Sequence, residues 1–187
     1  SLKDTDIRNR FAIFISARNE EGVISELLGS LNKQDYPRDK YDIYVVADNC
    51  TDHTAQVSRD NGAIVYERFN KEEVGKGYAL NYLYTKVSSL KGRKYYDAFV
   101  VFDADNIVDP AFLKESNKKL ASGKYDAFTT YRNSKNFGTN WLSAAYSIWF
   151  LHEARHLNYV RDMIGAQCMI SGTGFVITSS LMDENDG

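Results

Sequence analysis

Ala98 to Phe102 is an unbroken apolar run, β-branched and aromatic, that stops at Asp103 with Asp105 two positions on. A run of that kind fits a strand buried on both faces, as in parallel sheets covered by helices. Residues i and i+2 of an extended segment point to the same side, so both carboxylates can converge at the strand's carboxyl end. Ligands of open α/β sheets bind at that end. Two converging carboxylates suit a hard divalent cation, and such a cation suits a diphosphate. Asp4-Thr5-Asp6 has the same spacing with no apolar run before it, so the triplet is informative only through its place.

The rest of the chain repeats the alternation of strand and helix. Phe11–Ser16, Ile43–Ala47, Ala63–Tyr66, Ala127–Tyr131 and Val176–Thr178 read as further strands. Between them, Val23, Ile24, Leu27, Leu28 and Leu31 make one apolar face of a helix over about 21–33. A second helix stops at Asn61-Gly62, and a third starts at Gly75-Lys76-Gly77 with Ala79, Leu80, Leu83 and Val87 inward. Asp109 and Pro110 read as N-cap and first residue of a fourth, which closes at Gly123. Short connections between alternating elements predict an α/β fold, a three-layer α/β/α arrangement on a mainly parallel, doubly wound sheet. At 187 residues one domain over 1–187 is expected. A net charge of −2 gives no basic surface for nucleic acid. Cys50 and Cys168 lie far apart without metal-ligand spacing, which favours a reducing, cytoplasmic setting.

Three strand ends are polar: Ala17 to Glu20, Asp48 to Asp52, and Asp103 to Asn106. Any one cluster would serve as a helix cap; three together, on one edge of a parallel sheet, point to a site. Asp48 is placed to accept a hydrogen bond from a base edge, and Lys76 to meet a phosphate. No Gly-x-Gly-x-x-Gly follows the first strand and no Gly-Lys-Ser/Thr loop occurs, which argues against a dinucleotide fold or a P-loop.

Four blocks in order, Phe11 to Glu20, Val45 to Asp52, Gly75 to Asn81 and Phe102-Asp103-Ala104-Asp105, resemble the signature blocks of the family 2 glycosyltransferases, inverting enzymes of GT-A-type fold. The resemblance runs from about residue 11 to the end. It implies that Ala17, Arg18, Asn19, Glu20 and Asp48 hold the nucleotide of a nucleotide-sugar, most simply a UDP-sugar. Lys76 would lie near the donor. Asp103, Ala104 and Asp105 match the Asp-x-Asp motif, whose second acid ligates Mn²⁺ or Mg²⁺ at the diphosphate. Ser171, Gly172 and Gly174 resemble a stretch beside the acceptor in membrane-associated polysaccharide synthases. The usual acidic pair is Ala47-Asp48 here, one acid short.

The family's catalytic-base block comes past the position of Gly187, and Asp183, Glu184 and Asp186 read as a frayed tail. The expectation is therefore the donor-binding part of a larger enzyme that transfers sugar to a sugar or glycan acceptor. The parent protein is expected at the cytoplasmic face of the plasma membrane, held by segments outside 1–187. Other readings are a catalytically incomplete binding module and a nucleotidyltransferase, which usually has a glycine-rich loop where Ala17 to Glu20 stand. His152-Glu153-Ala154-Arg155-His156 matches a zinc-protease motif, but no histidine follows as third ligand. Asn140 to about Tyr159 reads as an aromatic core or interface helix. The uncharged span Met163 to Met182 is long enough to cross a bilayer, yet its glycines, Gln167 and hydroxyl residues favour buried strand and turn.

Overall fold

A computed structural model describes residues 5–129 and 172–184. The chain divides into two compact units, 1–127 with 176–187, and 128–175. Of the second, the described residues are Phe128, Thr129 and 172–175. The aromatic helix expected at 140–159 and the His-Glu-x-x-His stretch lie outside the described residues, as does most of the uncharged span. Among the described residues no helix is long and apolar enough to cross a membrane.

The apolar runs become strands β1 (Phe11–Ala17), β2 (Tyr41–Asp48), β3 (Ile64–Arg68), β4 (Ala98–Asp103), β5 (Ala127–Thr129) and β6 (Phe175–Thr178). Helices α1 (Ile24–Leu31), α2 (Thr54–Asp60), α3 (Lys76–Lys91), α4 (Phe112–Ala121) and α5 (Ser179–Glu184) alternate with them. The sheet order is β3-β2-β1-β4-β6-β5. β1 pairs in parallel with β2 and with β4, and β2 in parallel with β3. Each parallel return needs a crossover, and the sheet order departs from the chain order because the connection after β3 carries the chain back past β1 to place β4 on its other side.

Register and pleat divide the strand side chains between two faces. Phe14, Tyr44 and Phe99 share one face, their rings 5.2–5.9 Å apart, and Tyr84 of α3 covers them with its ring 5.3 Å from Phe99. The opposite face meets α4 through Phe102 and Phe112, 5.1 Å apart, and α1 through Tyr41, whose hydroxyl donates to the Leu31 carbonyl at 3.1 Å. Helices therefore cover both faces, which gives the three layers. Phe11 to Ile15, Val45 and Val46, and Ala98 to Val100 are at most 3% exposed, so the centre of the sheet is dry.

Three expectations need correction. α1 begins at Ile24 instead of Glu21, because the Glu20 carbonyl accepts from both Val23 N and Ile24 N in a turn that frees Glu21 for the neighbouring loop. α4 begins at Phe112, two residues late. Asp109 caps a turn through Ala111 N (2.8 Å), and this turn is pinned to the segment that follows α1 by Asp35 N to Pro110 O (2.8 Å) and Gln34 Nε2 to Asp109 O (2.9 Å). Asp183 and Glu184 do not fray. They belong to α5, where Asp183 accepts from the Tyr84 hydroxyl at 3.2 Å and pairs with Arg93 at 3.7 Å.

Candidate functional site

Parallel pairing brings the carboxyl ends of β1, β2 and β4 to one edge. Ala17 lies opposite Ala47, and Ser16 opposite Asp103. Asp48 and Asp103 therefore end the strands on either side of β1, Asp48 two residues further along than Asp103, which puts their backbones about 12 Å apart at ordinary strand spacing and rise. The pleat places both on the face covered by α3. This is the convergence that the three polar strand ends imply.

The loops on this edge are fastened to one another. Asn19 takes a positive φ of 56°, a conformation asparagine tolerates better than most side chains, and its Oδ1 accepts from Thr51 N at 2.8 Å. Glu20 N donates to Thr54 Oγ1 (2.8 Å), Glu21 N to Asp52 (3.2 Å), and His53 N to Glu21 (2.8 Å). Cys50 sits between the loops, its thiol donating to Ala17 O and accepting from Asn19 N, each at 3.5 Å. Burial pushes that thiol's pKa up, so it stays protonated. Burial also works to raise the Asp52 carboxyl. Hydrogen bonds from the Thr54 hydroxyl and amide and from Glu21 N outweigh it and hold Asp52 below the ordinary range.

Beyond β2 the linkage continues to the loop after β3. Asn49, at φ 52°, exchanges two hydrogen bonds with the Asn70 backbone, 2.9 and 3.0 Å, and Asn49 N donates to Arg68 O at 2.7 Å. Asp48 is 3% exposed and accepts from Arg68 Nη1 at 2.8 Å. Arg68, its register partner, is 6% exposed and reaches Glu73 with its other amino group at 3.3 Å. Asp48 is thus already engaged by a buried guanidinium, where sequence reasoning expects an open carboxylate. Arg68 was not among the sequence candidates. The available signal was a charged residue closing a strand that starts after Ala63, but the register of a short edge strand is not legible from its pattern.

The other side of β1 carries the Asp-x-Asp triplet. Lys76, the first residue of α3, forms an ion pair with Asp103. β4 ends at Asp103 and a turn follows at Ala104 and Asp105, so the extended alternation expected to align the two carboxylates stops one residue short; Ala104 is buried, Asp105 is exposed and accepts from Asn106 Nδ2 at 3.1 Å. Among the described residues no three His, Cys, Asp or Glu side chains cluster as a ready metal cage. Two carboxylates two residues apart in sequence nonetheless suffice in number for a Mg²⁺-like ion, which takes one or two carboxylates and fills its shell with water and phosphate oxygens. Arg18 is exposed and Glu20 half-buried on the same edge. Ser171 lies outside the described residues. Gly172 and Gly174, the latter at φ 67°, belong to the second unit.

A family model described as "Glycosyltransferase like family 2" matches residues 9–187. A β-monoglucosyldiacylglycerol synthase of Nostoc is 28% identical over 82% of this chain and 34% of its own length. The chain spans about a third of the length of the curated relatives it resembles over most of its residues. Among solved structures, a Pyrobaculum calidifontis mannosyltransferase in complex with GDP-Man and Mn²⁺ superposes with a TM-score of 0.71 at 22% identity, over 98% of this chain and 48% of that one. Staphylococcus aureus TarS in complex with UDP-GlcNAc gives 0.67 at 19%, over 95% and 47%. At such identities the likeness shows a shared fold.

Proposed function

Because this chain belongs to the glycosyltransferase-like family 2 and has the GT-A fold, we propose that residues 1–187 supply the donor-binding part of a sugar-transferring enzyme. The donor is a nucleotide-sugar, most simply a UDP-sugar, and the sugar passes with inversion to an acceptor hydroxyl of a glycan or glycolipid. The observation that carries this reading is the single edge on which the loops after β1, β2 and β4 meet, with Asp48 and Asp103 flanking β1.

Each residue has a role in this reading. The buried Asp48–Arg68 pair offers an acceptor and a planar set of donors to the base. Asn19 and Glu20, tied to the β2 loop, fix the wall against which the nucleoside lies. Arg18 and Lys76 bring positive charge to the diphosphate. Asp105, with Asp103, would hold Mn²⁺ or Mg²⁺, which when bound offsets the charge developing on the leaving nucleoside diphosphate. Ser171, Gly172 and Gly174 stand as acceptor-side residues by resemblance. Named relatives and neighbours support the reading in kind: one makes a glucosyl lipid, one is complexed with GDP-Man and Mn²⁺, one with UDP-GlcNAc.

Calorimetric titration with UDP-glucose, UDP-GlcNAc and GDP-mannose, with and without Mn²⁺, tests it. Binding of at least one of these donors that tightens with the metal is expected. Asp105→Asn should remove most of the metal dependence, a loss of about tenfold or more for a charged contact. Preference for nucleoside triphosphates would favour a nucleotidyltransferase, and no binding of any donor would end the proposal.

A further inference from the structure

Lys76 is a cation at the first position of a 16-residue helix. The partial positive charge of a helix N-terminus favours anions there and disfavours a lysine. Gly75, at the N-cap, contributes no side-chain hydrogen bond. The Asp103 carboxylate is what offsets the placement. Both side chains stay partly open to solvent, 35% exposed for Lys76 and 41% for Asp103, so the pair is of the weakly held kind that exchanges partners readily. Asp103 is also the first acid of the triplet to which the metal role falls, and Asp105 beside it accepts from a neutral amide.

We propose that Lys76 and a divalent cation compete for the Asp103 carboxylate, and that a diphosphate settles the competition by drawing Lys76 to itself. Lys76 is then a positioning residue for the ion as well as a contact for the donor. A lysine facing a diphosphate gains a doubly charged partner and places an anion at the end of α3, where the helix dipole stabilises it. Asp103 is released in the same movement. The inference rests on the donor-site reading above, and it makes a demand which that reading does not: loss of Lys76 must affect the two ligands in opposite directions.

The test measures Mn²⁺ alone by electron paramagnetic resonance, and inorganic pyrophosphate and UDP alone by calorimetry. It uses the protein and its Lys76→Met and Lys76→Arg variants. Lys76→Met is expected to bind Mn²⁺ about two- to fivefold tighter than the parent, the range for an exposed ion pair. The same variant should bind pyrophosphate and UDP about tenfold weaker. Lys76→Arg, which keeps the charge, should stay near the parent in both. Mn²⁺ affinity that is unchanged, weaker or undetectable in Lys76→Met overturns the inference, and if UDP still binds the parent the donor site survives it. A parent protein that binds neither UDP nor Mn²⁺ overturns both.

Discussion

Arg68 is the side chain on which the site's geometry turns. It sits 6% exposed between buried Asp48 and exposed Glu73. Removing one partner of a buried ion pair leaves the other charge uncompensated, which costs about 3–5 kcal/mol. Arg68→Met should therefore lower urea stability by about that much, and the double variant Asp48→Asn, Arg68→Met should recover part of the loss. Asp52 carries a second expectation. Its folded pKa is held below the ordinary value near 3.8. Its contribution to stability is thus present above that value and is lost as pH falls through the lowered one. An acid unfolding series should show Asp52→Asn with a flatter slope below about pH 4. Asp103 and Asp105 could be singled out from sequence, since an apolar run that stops at an acid needs no knowledge of its neighbours. The partners Arg68, Asn70 and Cys50 could not, because their roles depend on which strands lie side by side.

At the scale of elements, α3 depends on the residue before it. Gly75 has φ 131° and ψ 161°, a region essentially restricted to glycine, and a Cβ there would meet open space. The penalty for Gly75→Ala is therefore backbone strain, about 1–3 kcal/mol. The variant should melt lower and bind pyrophosphate more weakly, because relief of strain moves the start of α3 and carries Lys76 off the edge where the diphosphate would lie. Lys76→Arg, with an intact turn, should show neither effect. Among the described residues, strand positions were legible to within two residues because a doubly covered strand excludes polar side chains over its whole length, as Phe11 to Ile15 and Ala98 to Phe102 do; the last two residues of the strand expected over Ala127–Tyr131 lie outside them. Helix starts were less so. Glu21 and Asp109 satisfy local helix-start patterns, but the fold uses the first to bridge to His53 and the second to hold Ala111. In both places a tertiary hydrogen bond competes with helix propagation and wins.

For the whole molecule, ligand binding and folding are linked through the middle of the sheet. The loops that meet at the site are continuations of β1, β2 and β4, whose centres are dry. A donor that binds only the folded chain should add about 2.7 kcal/mol at a hundredfold excess over Kd. For a chain of this size that is a rise in Tm of about 5–10 °C. UDP with Mn²⁺ should raise the melting temperature more than either alone. The three-layer plan was legible in the alternation of elements, whereas the sheet order was not, because chain order alone does not say that β1 ends up between β2 and β4. That central position has a consequence for biosynthesis. Phe11 pairs with Tyr41 on one side and with Ala98, some 87 residues later, on the other. As the nascent polypeptide leaves the ribosome, β1 finds one neighbour early and must wait with its other flank bare until β4 emerges. Chaperone engagement should fall within that interval, and a chain stalled before β4 has emerged should be sticky and unable to capture nucleotide.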